Sequence, residues 1–237
     1  NFNCMDAALR HTEEMLAEGA DIIDIGGEST RPGHVQITDQ EEIDRVAPII
    51  EAVKARFDVP VSLDTYKSAV AEAGIAVGAD LINDIWGLKY DPKMADVIAK
   101  ADVACCLMHN RDNSDYGDFL SEWYQETAEC VELAKKAGIA DDKIILDPGV
   151  GFGKTYEQNL TTIKYMDDLK KLGYPLLLGT SRKSVIGLTL DTPVTDRAVG
   201  TAVTTVFAVQ QGYAFVRVHD IKVNKQAIQM TKAILNA

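Results

Sequence analysis

Basic side chains are scarce in this chain. It has 24 Lys and Arg against 36 Asp and Glu, a net charge of −12 with a pI near 4.8. A surface of that sign repels nucleic acid and anionic membranes, so any anionic ligand must meet a local cationic cluster. Arg31, Lys183, Arg217 and His219 are the candidates for one. Cysteine is also scarce: four residues, at 4, 105, 106 and 130, without metal-ligand spacing. Cys105 and Cys106 are neighbours on a predicted strand, so they point to opposite faces and do not easily serve one metal. Reduced, mostly buried thiols in a cytoplasmic protein fit better. No apolar run approaches the ~20 residues of a membrane span. Asn1-Phe2-Asn3-Cys4-Met5-Asp6 is neither a signal peptide nor a natural start. No linker, low-complexity tract or charge block marks a second domain. Residues 1–237 therefore read as one domain, with 46% hydrophobic content to fill a single core.

What the chain does have is a repeated grammar: an apolar run, then a polar group, then turn residues. Ile144-Ile145-Leu146 ends in Asp147 and breaks at once into Pro148-Gly149-Val150-Gly151-Phe152-Gly153-Lys154. Asp24, Asp64, Asn83 and His109 close four other runs, Ser181 and Lys183 follow a fifth, and Arg217 and His219 a sixth. Strands are expected at 21–26, 59–64, 81–85, 102–108, 144–147, 175–179 and 214–218. Helices are expected at 5–18, 39–56, 66–78, 91–100, 117–137, 156–172, 195–211 and 221–236, where apolar residues recur at helical spacing. Thr38 with Glu41 resembles a capping box, and Pro48 is placed to bend the helix that follows. The strands are short and continuously apolar, as strands buried on both faces are. The fold class is α/β, a (β/α)8 TIM barrel whose polar strand ends collect on one rim. Closure needs eight strands and seven are found, so the first strand and its loop are expected to precede Asn1; a seven-stranded open sheet is the alternative.

Asp24-Ile25-Gly26-Gly27-Glu28-Ser29-Thr30-Arg31-Pro32-Gly33 sets glycines, hydroxyls and a guanidinium at a strand end, a loop suited to a carboxylate or phosphate. Asp64, Asn83 and Asp147 end three strands. Singly, each reads as an N-cap for the next helix. In register, two carboxylates and an amide suit a flat heterocycle with N–H donors, such as a pterin or guanine-like ring. The run 149–155 mimics a P-loop, but Pro148 stands where that spacing needs its first glycine, so the P-loop reading fails. Gly179-Thr180-Ser181-Arg182-Lys183-Ser184 follows a late strand, where barrels commonly bind anions. Arg217 and His219 share one side of theirs, so both can reach one anion.

Asp-Ile-Gly-Gly-Glu-Ser-Thr-Arg-Pro-Gly, Leu-Asp-Thr-Tyr, Ile-Asn-Asp-Ile, Leu-Asp-Pro-Gly-Val-Gly-Phe-Gly-Lys, Ser-Arg-Lys-Ser and Arg-Val-His-Asp occur here in an order and spacing that resembles the dihydropteroate synthase family, across essentially the whole chain. The resemblance implies folate biosynthesis: a dihydropterin diphosphate and p-aminobenzoate give dihydropteroate and diphosphate. It implies a pterin held by Asp64, Asn83, Ile85, Met108, Asp147, Phe152, Gly179 and Lys183. It gives the diphosphate to Thr30, Arg31, Asn83, Arg217 and His219, and p-aminobenzoate to Thr30, Arg31, Pro32, Phe152, Ser181 and Lys183. Asp64, Asp147, Lys183, Arg217 and His219 would carry the chemistry. The implied cofactor is Mg2+, with its Asn ligand upstream of Asn1, so no metal ligand is identifiable in the chain itself. The implied assembly is a homodimer. A pterin-binding methyltransferase that works with a corrinoid partner would share Asp64, Asn83 and Asp147, but it has no use for a diphosphate site. A pterin-binding fragment without catalysis is the other alternative.

Overall fold

The computed structural model describes residues 2–29 and 35–237, and the side chains from residue 5 onward. Contacts divide the chain into two compact units, Asn1–Leu107 with Cys130–Ile144, and Met108–Glu129 with Ile145–Ala237.

In the first unit α1 (Phe2–Ala17) precedes a strand–helix alternation: β1 (Ile23–Gly26), α2 (Asp39–Arg56), β2 (Val61–Asp64), α3 (Ser68–Ala76), β3 (Leu81–Asp84), α4 (Met94–Ala101) and β4 (Ala104–Met108). β1, β2, β3 and β4 pair in that order, all parallel. Val61, Leu63, Ile82, Cys105 and Leu107 are fully buried, which accounts for the unbroken apolar runs. Val46, Ile50 and Val53 of α2 and Ile98 of α4 supply helix-side core. Thr38 caps α2 by accepting from Glu41 N at 3.2 Å. Glu41 turns its own carboxylate to Arg45 at 2.5 Å, so half of the expected capping box is described. Pro48 lies within an uninterrupted α2.

α5 (Phe119–Ala137) and β5 (Ile144–Asp147) run across the division between the units. The second unit continues with α6 (Tyr156–Tyr165), β6 (Leu177–Leu178), α7 (Ser184–Leu190), α8 (Ala198–Gln210), β7 (Phe215–Val216) and α9 (Ile221–Leu235). His109 N donates to Asp147 O, Leu146 bridges Leu176 in parallel sense, and β6 pairs parallel with β7. The reciprocal capping box is here: Thr155 and Gln158 satisfy each other's backbone N–H at the start of α6.

Three expectations differ from the structure. The predicted helix 156–172 stops at Tyr165 and tightens into a 3-10 segment, Met166–Leu172, closed by Gly173 in the left-handed region. The last two strands are two residues long rather than five. α7 was not expected, because Ser184–Leu190 is too short for helical periodicity to emerge and carries Val, Ile, Thr and Gly.

Candidate active site

Asp64 ends β2 and stands in register beside Asn83, the next-to-last residue of β3, with Gly26 opposite Asp64. Both polar side chains are buried, as is Ile85. Pleating sends the next residue to the other face. Asp84 there accepts from Trp86 N and Leu88 N at 2.8 Å each, and burial pushes its carboxyl up to about 6. In Ile-Asn-Asp-Ile, then, Asn83 lies level with Asp64 while Asp84 builds the turn. Asp24, which also looked like a rim residue, accepts from Ser62 Oγ at 2.6 Å.

Glu28 and Ile37 are tied into a buried ion network. Lys67 Nζ donates to Glu28 Oε2 at 2.6 Å, lies 2.9 Å from Glu42 Oε2, and donates to Ile37 O at 2.8 Å. Ile37 N in turn donates to Glu28 Oε2 at 2.9 Å, and Tyr66 donates its hydroxyl to Glu28 Oε1. Burial pulls the Lys67 ammonium down, but Glu28 and Glu42 outweigh it and hold the group above its ordinary value. Thr30, Arg31 and Pro32 lie outside the described residues.

In the second unit, Asp147 ends β5 with 5% exposure and accepts from Gly149 N at 2.7 Å. Burial raises its carboxyl, while Lys183, the Gly149 bond, Arg217 and Lys154 pull the other way. Gly179 brings two opposite charges together: a β-carbon on it would lie 3.3 Å from Asp147 Oδ2 and 3.9 Å from Lys183 Nζ. Lys183 Nζ donates to Val150 O at 2.5 Å and sits 4.6 Å over the Phe152 ring. Met108 is buried at the end of β4. Arg197 donates to Arg182 O at 3.0 Å and Lys183 O at 3.4 Å, fixing the loop that carries Ser181 and Lys183.

Arg217 and His219 depart from expectation in one respect. β7 ends at Val216, so the two residues stand in the loop beyond it rather than on one side of a strand. Arg217 N still donates to Leu178 O at 2.9 Å, which extends the ladder by one residue. Ser181 Oγ accepts from His219 N at 3.0 Å and meets His219 Nδ1 at 2.8 Å, while Arg182 and Asp220 form a two-point ion pair. Both the Arg217 and His219 residues are exposed.

Sequence reasoning used Lys154 only to reject a P-loop. In the structure it is a partly buried lysine inside the glycine turn, joined to His109. The signal was present: a turn of three alternating glycines that ends in Lys, where a β-carbon on Gly149 (φ +71°) would lie 1.8 Å from His109 O. Among the described residues no group of three or more His, Cys, Asp or Glu side chains could hold a metal ion, and no helix is long and apolar enough to cross a membrane.

Comparison with known proteins adds to this geometry. Residues 1–219 match the pterin-binding enzyme family. The chain is 55% identical over 235 residues to the dihydropteroate synthase of Clostridium beijerinckii, a match that spans 99% of this chain and 87% of that protein. The crystal structure of the Clostridium difficile dihydropteroate synthase in the presence of pteroic acid matches with a TM-score of 0.97 at 47% identity, over 100% of this chain and 90% of that one. The dihydropteroate synthase of Xanthomonas albilineans, solved with 4-aminobenzoic acid, matches with a TM-score of 0.94 at 36% identity, over 98% and 86% of the two chains.

Proposed function

The chain belongs to the pterin-binding enzymes and, among them, to the dihydropteroate synthases, and on that premise we propose how its residues divide the work. Membership carries the (β/α)8 barrel fold class with it. The activity is transfer of a pterin-methyl group in folate biosynthesis, from the dihydropterin diphosphate to the amine of p-aminobenzoate. The observation that carries the residue assignment is the approach of Asp147 Oδ2 and Lys183 Nζ above Gly179, beside the Phe152 ring. A buried carboxylate accepts from adjacent ring N–H groups, and an ammonium donates to a ring oxygen or nitrogen. For Asp64, Asn83, Ile85 and Met108 as ring contacts, support comes from the sequence resemblance and their burial at strand ends.

The bond that breaks joins the pterin methylene to a diphosphate oxygen, and its electron pair leaves with the diphosphate. Arg217 and His219 take up that charge. The cation left on the pterin is stabilised by Asp147, whose ionised form burial disfavours while Lys183, the Gly149 bond and Arg217 favour it. The arylamine, set against Phe152 and the Lys183 stem, then attacks the methylene and releases a proton to solvent. No protein nucleophile is required; placement of charge and reactant does the chemistry. Mg2+ is implied by the sequence resemblance alone, and no step here runs through it. Thr30, Arg31 and Pro32 are assigned to the diphosphate and arylamine by resemblance alone.

The protein is assigned to the cytoplasm, where Cys105, Cys106 and Cys130 stay thiols, and to a homodimer, supported by the exposed Val199, Val203 and Phe207 at four-residue spacing on α8. Mixing the pterin diphosphate with p-aminobenzoate should release diphosphate and form dihydropteroate. Lys183→Ala should lower turnover at least ~100-fold, or about 2.7 kcal/mol of transition-state stabilisation, with the thermal midpoint nearly unchanged. Near-normal rates in that variant would remove Lys183 from the site.

A further inference from the structure

Lys154 closes the glycine turn after β5 with its amine turned into the turn and the residue partly buried. The group has three N–H bonds, and the turn offers three acceptors: His109 Nδ1 at 2.8 Å, Gly149 O at 2.9 Å and Phe152 O at 3.0 Å. That match sets the tautomer of His109. If Nδ1 accepts, the ring proton sits on Nε2 and donates to Glu126 Oε2 at 2.8 Å. Glu126 Oε1 is held in turn by Arg111 at 2.7 Å. Arg111 lies 4.2 Å over the Tyr116 ring, and Tyr116 donates its hydroxyl to Gly153 O at 2.9 Å. The whole inner side of the turn is thereby tied down.

The two carbonyls that Lys154 holds belong to residues whose other groups face the site. Gly149 N donates to Asp147 Oδ1, and the Phe152 ring lies beneath Lys183 Nζ. Resting on the synthase reading above, we propose that Lys154 is a positioning residue of the reaction. It holds the Asp147 carboxylate and the Phe152 wall through the carbonyls of Gly149 and Phe152, with His109 and Glu126 as its support. Lys154 itself touches no reacting group.

The charge state of Lys154 gives this arrangement a readout. Burial lowers its ammonium to about 7; Asp147 and Glu126 pull it up, and Lys183 and Arg111 push it down. A neutral amine keeps only two N–H bonds, so on deprotonation one of the three acceptors loses its donor and the turn slackens. The synthase should therefore lose kcat/KM for p-aminobenzoate as pH rises through the Lys154 transition.

The test is a pH profile of kcat/KM in the full chain for wild type, Lys154→Met, His109→Leu and His109→Asn. Lys154→Met should lower kcat/KM at least about tenfold on the acid side and abolish the limb that falls near pH 7. His109→Leu withdraws one acceptor from the ammonium and should move that limb about one pH unit lower. His109→Asn places an amide oxygen where Nδ1 stood and should restore the wild-type midpoint. A Lys154→Met profile that superimposes on wild type overturns the proposal. Should that variant fail to fold, the His109 pair decides, and Leu and Asn profiles that both match wild type overturn it as well. A wild type that forms no dihydropteroate would instead defeat the synthase reading itself.

Discussion

Gly179→Ala tests the site with little disturbance of the fold. Gly179 is not in the left-handed region, so alanine fits its backbone. Reduced freedom of the unfolded chain should add about 0.4–1 kcal/mol of stability. The contact at 3.3 Å from Asp147 Oδ2 takes part of that back, leaving a net change within about 1 kcal/mol. The methyl group, however, stands within 4 Å of both the Asp147 carboxylate and the Lys183 ammonium, where the pterin ring edge is assigned. Losing one charge-assisted hydrogen bond costs about 1.5–3 kcal/mol, so kcat/KM for the pterin diphosphate should fall roughly 10- to 150-fold. Diphosphate release at varied pterin diphosphate, run beside urea unfolding, reads both quantities. Unchanged kcat/KM in a folded variant would place the ring elsewhere. A large loss of stability would refute the packing argument at Gly179.

Lys67→Met deprives two buried carboxylates, Glu28 and Glu42, of their common counter-ion, and should cost about 3–5 kcal/mol near neutral pH. A loss below about 1 kcal/mol by chemical denaturation would count against the network. Asp84 carries the opposite linkage from an ordinary surface acid. Its folded value of about 6 exceeds the usual 3.8, so its contribution is complete below about 4 and is lost as pH rises through 6. The stability advantage of wild type over Asp84→Asn should therefore decline by an amount on the order of 3 kcal/mol between pH 4 and 7, and an advantage that grows with pH would refute this. Arg217→Ala should weaken binding of the pterin diphosphate at least about tenfold more than binding of the pterin alcohol, and equal losses in calorimetry would make Arg217 structural.

Much of the architecture could be read from the chain because the physics there is local. Continuous apolar runs of Val, Ile and Leu give strands buried on both faces, and β5 and α2 fall where their runs and caps predict. Strand-end polar groups were legible for the same reason: Asp64, Asn83 and Asp147 each close an apolar run, and each is buried there. Sequence could not say which of two adjacent polar residues faces which way. Asp84 and Asn83 are neighbours, and only the strand register gives Asn83 to the level of Asp64 and Asp84 to the turn. Nor could it find α7, whose two turns hold no periodic signal and whose shape is set by Lys183 at one end and a left-handed Asp191 at the other. Lys154 shows the limit most plainly. Its partners Gly149, Phe152 and His109 come from a glycine turn and from a chain segment 45 residues away, and a lysine held by such a meeting looks in sequence like any loop lysine. Composition and periodicity decide what lies inside, because burial of apolar area depends on the residue alone. Which buried polar groups find each other is decided by tertiary structure, because hydrogen bonds need partners at fixed distance and angle that no local pattern encodes.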